Sequence, residues 1–150
     1  MPGARATAPG RADKARRPST LQDSDYRTLA LVRAQLRAFA HFTKMNTGRA
    51  GLTPQQHQIL LALRAADGVE LTIGELATTM FLKPHSVSGM ADWLQSLGLV
   101  ERRHGEGDRR RVILNLTPKA NQLLASLGQV HKAELRRIRP LLTALLSALE

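Results

Sequence analysis

At Gly98 the apolar residues stop recurring every three or four positions and begin to alternate; at Pro118 the longer period returns. That change of period requires a short β-hairpin set between helices. The strands are expected over residues 99–103 and 109–116. Glycine and aspartate fill His104-Gly105-Glu106-Gly107-Asp108, which reads as the turn. In the second strand Val112, Leu114 and Leu116 point one way and Arg111, Ile113 and Asn115 the other.

Four helices precede the hairpin. Residues 24–46 place Leu29, Val32, Leu36, Phe39, Ala40 and Thr43 on one stripe, and Asn46-Thr47-Gly48 is expected to end it. Thr53 and Pro54 suit the cap and first position of a second helix, with Gln56 as reciprocal capping partner. Its inner face is Ile59, Leu60 and Leu63, and Asp67-Gly68 stops it. Thr72 and Glu75 make a capping box, with Leu71 and Leu76 at the staple positions, for a short helix ending near Phe81. Pro84 opens a fourth helix with Val87, Met90, Ala91, Leu94 and Leu97 inward and Gly98 as left-handed cap. Its other face holds His85, Ser88, Gly89 and Asp92 and must meet solvent or a polar partner. After the hairpin, Thr117-Pro118 starts a long helix with Leu123, Leu124, Leu127, Val130, Leu135 and Ile138 on its stripe. Pro140 is expected to kink or end it, before a Leu-rich terminal segment.

Two short helices followed at once by a hairpin make a winged helix-turn-helix, mainly α with a small β-hairpin. The second helix of such a pair fits the major groove of DNA. Charge agrees: 22 Lys and Arg against 12 Asp and Glu leave a net +10, which favours an anionic partner. Aromatic residues, at 3%, are too few for a single-strand stacking platform. No apolar run nears the ~18 residues that span a bilayer, and no basic amphipathic helix suits a membrane surface. Residues 1–23 read as a disordered basic arm, either a plain solvated tail or a non-specific DNA attractor through Arg11, Lys14, Arg16 and Arg17. The arm lacks the apolar core of a secretory signal, so a cytoplasmic location is expected. Arg102, Arg103, Arg109, Arg110 and Arg111 bracket the hairpin turn, with Glu101, Glu106 and Asp108 among them. Alone, that run is equally a solvated face.

The ordered stretches LTPQQHQILLAL, LTIGELATTM, SVSGMADWLQSLGLVERR and DRRRVILNLTPKA carry a resemblance. The chain resembles the MarR (multiple antibiotic resistance regulator) family of bacterial and archaeal transcription factors. The resemblance is strong over about residues 52–120 and rests on pattern in the flanking helices. It implies a domain over 24–150, with the winged helix-turn-helix at about 52–117 and dimerisation helices at about 24–46 and 118–149. It implies that Arg110 enters the minor groove and that Asp108 holds its side chain in a salt bridge. It also implies that His85, Ser86, Ser88 and Gly89 read the major groove, with Lys83, Arg103 and Arg109 as further DNA contacts. Departures stand at Lys83, where members often carry Ser or Thr, and at Gly89 and Trp93, where Arg is common.

The resemblance further implies a small aromatic or carboxylate effector between the lobes. Phe39, His41, Phe42 and His57 are the candidates by location, with Tyr26 and Met45 near them. The five histidines have no metal-ligand spacing and no cysteine accompanies them, so no metal is expected. No nucleophile–base set or phosphate loop is present, which argues against an enzyme or a cofactor. The expected function is a sequence-specific double-stranded DNA-binding transcriptional regulator. It would be an effector-responsive repressor acting as a homodimer on a palindromic operator. The alternative is a winged-helix protein-interaction module without specific DNA binding, suggested by Gly89 and the acidic residues of the wing.

Overall fold

Capping residues set most of the helix boundaries. The structure, a computed structural model, describes residues 20–149; residues 1–19 of the expected arm lie outside the described residues. The elements run α1 (Asp23–Arg49), α2 (Pro54–Ala65), β1 (Leu71–Thr72), α3 (Ile73–Thr79), α4 (Pro84–Ser96), β2 (Val100–Gly105), β3 (Asp108–Leu116) and α5 (Pro118–Ser147). This is the expected winged helix-turn-helix between two long flanking helices. Thr53 and Thr72 each accept the backbone N–H three residues on, from Gln56 at 3.2 Å and Glu75 at 3.1 Å. Gln56 and Glu75 return the bond to the cap N–H groups, at 3.0 and 2.8 Å.

The sheet adds a strand that the alternation did not announce. β1 pairs antiparallel with β3, and β3 with β2, giving the order β1-β3-β2. β1 has only two residues, Leu71 opposite Leu114 and Thr72 opposite Ile113, too few to show a period. It covers the free edge of β3 beside Ile113, which is fully buried instead of lying outward with Arg111. The turn is also tighter than expected. Gly105 pairs with Asp108, so only Glu106 and Gly107 form the loop, and Gly107 supplies the positive φ of 77°.

Ile59 and Leu60 from α2, Leu76 from α3, Val87 and Leu94 from α4, Val100, Leu114 and Leu124 of α5 form one core. α1 continues three residues past its expected end. Thr47 does not break it because its hydroxyl bonds back to the Thr43 and Lys44 carbonyls, at 3.0 and 3.2 Å, and the residue is buried. The helix stops at Gly51, whose φ of 79° lets the Leu52 N–H reach the Thr47 carbonyl. Pro140 does not end α5. Its missing N–H leaves only the carbonyl of exposed Arg136 without a helical donor, which water can supply. The inner stripe of α5 is Ala120, Leu124, Leu127, His131 and Ile138, so Val130 and Leu135, expected inside, are exposed.

Candidate nucleic-acid interface

α4 opens without a side-chain cap. Lys83 is its N-cap, in extended backbone (φ −79°, ψ 145°), and offers no side-chain acceptor. Pro84 has no N–H and the Ser86 N–H bonds back to the Lys83 carbonyl at 3.0 Å, so the His85 N–H is the one left to water or to an anion, beside an exposed ammonium. Val87, Ala91 and Leu94 fix the inner face; His85, Gly89 and Asp92 are exposed, with Ser86 and Ser88 partly so. The preceding turn is strained. Phe81 has φ 55° and is 95% exposed, a left-handed conformation that costs a non-glycine residue roughly 1–2 kcal/mol.

A groove of about 490 Å³ runs between the starts of α3 and α4 and the strand β3. His85, Ser88, Arg110 and Arg111 line it together with Thr72, Gly74 and Glu75. Lys83, Ser86 and Gly89 lie on the same helix, and Arg109 sits beside Arg110 at the wing.

Two of the five wing arginines, Arg102 and Arg103, are already engaged. Arg102 donates from Nη2 to the Ser88 carbonyl at 2.7 Å and to Ser88 Oγ at 3.2 Å, and pairs with Asp92 at 2.9 Å. It ties β2 to the middle of α4, so wing and helix are held as one body. Arg103 pairs with Glu70 rather than reaching forward. Arg111 lies near Glu75. The Glu75 carboxyl is held below its ordinary range mainly by the Thr72 backbone N–H, then by the Thr72 hydroxyl and by Arg111. Among the described residues Arg109, Arg110 and Arg111 have no carboxylate within ion-pair distance.

The tip itself is held through the backbone. Asp108 Oδ1 accepts the Arg110 backbone N–H at 2.9 Å. The expected side-chain salt bridge between Asp108 and Arg110 is not formed: the carboxylate is spent on the turn, and the guanidinium stays free. His104 Nδ1 lies 2.8 Å from the Arg109 carbonyl and donates to it. At Gly105 a Cβ would lie 3.0 Å from Arg111 Cβ and 3.3 Å from the Asp108 carbonyl oxygen, so a side chain there would have to push the bend apart by a few tenths of an ångström. Unpaired guanidiniums on a braced hairpin can fork onto phosphates or enter a narrow groove.

The expected effector residues divide. Phe39 and Phe42 of α1 and His57 of α2 converge on His131 of α5, with ring centroids 6.4, 6.2 and 5.2 Å away and all three contacts edge-on. His41 is exposed on another side of α1 and does not join them, because it is offset from the Phe39–Phe42 face. Sequence reasoning missed His131, although its spacing from Leu124 and Leu127 puts it on the inner stripe. Burial lowers the pKa of both imidazoles, and His131 lowers that of His57 further. The unfolded chain then binds more protons than the folded one below the ordinary imidazole pKa of ~6.5. Stability is full above that pH and falls as pH drops through it towards the lowered native values. The melting temperature is expected to fall between about pH 7.5 and about pH 5.5, above the carboxylate range. A His131→Leu variant should show a flatter profile over that window, and an equally steep one would refute the assignment.

Comparison with known proteins follows the same lobe. Residues 50–111 match a family model described as MarR family. A putative transcriptional regulatory protein for the hcr operon of Thauera aromatica is 32% identical over 99 residues, 66% of this chain and 58% of that one. The HTH-type transcriptional repressor MdtR of Bacillus subtilis is 33% identical over 95 residues, 63% of this chain and 60% of the relative. The matched stretch thus spans about three fifths of the length of these relatives. The crystal structure of the YusO protein from Bacillus subtilis superposes with a TM-score of 0.66 at 26% identity, covering 86% of this chain and 96% of that one.

Proposed function

The winged-helix lobe belongs to the MarR family, and we propose that the chain is a transcriptional regulator that binds double-stranded DNA sequence-specifically as a homodimer. The observation that carries this reading is the set of exposed wing arginines without an ion-pair partner, Arg109, Arg110 and Arg111, beside the open face of α4. α4 enters the major groove by its N-terminal end, where His85, Ser86, Ser88 and Gly89 meet base edges and Lys83 meets phosphate. The wing lies alongside, with Arg110 in the minor groove. Arg109 and Arg103 add positive charge near the backbone. Asp108 shapes the turn that aims Arg110.

α1 and α5 supply the dimer. Leu29, Leu36, Leu135, Leu141 and Leu146 are exposed apolar residues on the two flanking helices, a surface that favours burial against a second copy. Two copies of α4 must then sit about 34 Å apart to enter successive major grooves of a palindrome. A repressor role is the more natural one, since the relative MdtR is named a repressor. A small aromatic or carboxylate effector would act at the junction of α1, α2 and α5, where Phe39, Phe42 and His57 meet His131. It would release DNA only by its differential affinity for two lobe separations.

The test is selection of duplexes from a random-sequence library, followed by titration of the selected duplex at several salt concentrations. One palindromic consensus should emerge, and log K should fall linearly with log salt. Binding that is equal for all duplexes leaves only a non-specific cationic surface and refutes the reading.

A further inference from the structure

Gly89 stands in the interior of α4, where glycine is roughly 1 kcal/mol less favourable than alanine. Usually such a glycine lets another part of the protein come close. Here nothing in the chain does so: no heavy atom lies within 4 Å of the place a Cβ would occupy. Its φ is outside the left-handed range, so no backbone requirement explains it either. The residue is exposed on the open face of α4, four residues after His85 and four before the half-exposed Trp93. It therefore forms a notch in the outer surface of the helix that opens away from the core. The reason for it lies outside the chain.

We infer that the Gly89 notch receives the C5 methyl group of a thymine, making Gly89 a specificity-determining residue of the proposed DNA complex. The chemistry of the notch selects this occupant. Peptide groups in a helix interior are already hydrogen-bonded along the helix, so the notch offers Cα–H and spent backbone. It has nothing to give a phosphate oxygen or a base amide. The apolar group projecting from the major-groove edge is the thymine methyl. The inference rests on the proposed DNA binding and assigns one position within it.

The test separates folding from recognition, because a methyl group at this position should move the two in opposite directions. Gly89→Ala should melt a few degrees higher than the unaltered protein, as helix propensity requires. It should bind the selected duplex roughly tenfold more weakly at the same salt, with the same salt slope. Gly48→Ala, in the last turns of α1 and also free of neighbours, controls for a stabilising alanine elsewhere and should leave affinity unchanged. Replacing the thymines of the half-site by deoxyuridine, one at a time, removes single methyl groups. One replacement should weaken the unaltered protein several-fold and leave Gly89→Ala unaffected. Equal or tighter binding by Gly89→Ala, or deoxyuridine effects identical in the two proteins, overturns the notch while leaving DNA binding intact. Failure of the unaltered protein to select any duplex overturns the DNA reading itself, and the notch with it.

Discussion

Arg110→Ala is expected to weaken operator binding by about 1–3 kcal/mol at each half-site, a loss of roughly 5- to 150-fold per wing. The magnitude follows from what surrounds the side chain. Arg102 is spent on Ser88 and Asp92, and Arg103 on Glu70. Arg110 carries no such tie among the described residues and lines the groove beside α4. Its guanidinium therefore meets DNA without first breaking an ion pair. Asp108→Ala should cost less, because it removes the acceptor at 2.9 Å from the Arg110 N–H but keeps the cation. A suitable charge control is Arg64→Ala, at the exposed end of α2. Lys119 is unsuitable, since its Nζ donates to the Leu97 carbonyl at 2.7 Å and closes the end of α4. Titrations at one salt concentration decide the matter. If Arg110→Ala loses no more affinity than Arg64→Ala, the wing arginine makes only a general electrostatic contribution.

What could be read from the chain was what short-range physics decides. Thr53 with Gln56 and Thr72 with Glu75 are reciprocal caps three residues apart, and both formed where the spacing put them. The change of period at Gly98 located the hairpin because alternation is local. Contacts between distant segments were not legible. No pattern pairs Glu70 with Arg103 or lays Arg102 across Ser88, since each joins elements that only the folded sheet brings together. β1 was lost for a related reason: two residues define no period, and their partners lie some 40 positions on. The Asp108–Arg110 expectation failed differently. The two residues are adjacent as implied, but the turn needed the carboxylate for a backbone N–H. His131 is legible from its spacing to Leu124 and Leu127, but a polar residue on an apolar stripe carries the same pattern as the stripe's edge.

Leu146→Asp is expected to dissociate the proposed homodimer while leaving each protomer folded. Leu146 is 55% exposed and lines a largely apolar groove on α5 with Leu135 and Leu142; the cations of that groove, Lys132, Arg136 and Arg139, stand seven or more residues from it, about 10 Å or more along the helix. Substitution at such a surface position usually changes protomer stability by no more than about 0.5 kcal/mol. In a symmetric dimer the same change buries two carboxylates. The residues three and four positions before and three after it, Leu142, Thr143 and Leu149, offer no cation along the helix. Leu135 would be the weaker test, because Lys132 and Arg139 stand three and four residues from it and could neutralise an aspartate. An uncompensated buried charge costs roughly 3–5 kcal/mol, and two copies should raise the dimer dissociation constant by several orders of magnitude. Sedimentation at micromolar concentration should show a dimer for the unaltered protein and a helical monomer for the variant. Binding to the palindrome should fall with it, since a monomer engages one half-site and loses the linkage to the other. If the unaltered protein sediments as a folded monomer, or the variant remains a dimer, α5 is not the seam. The exposed leucines of that helix would then need another partner.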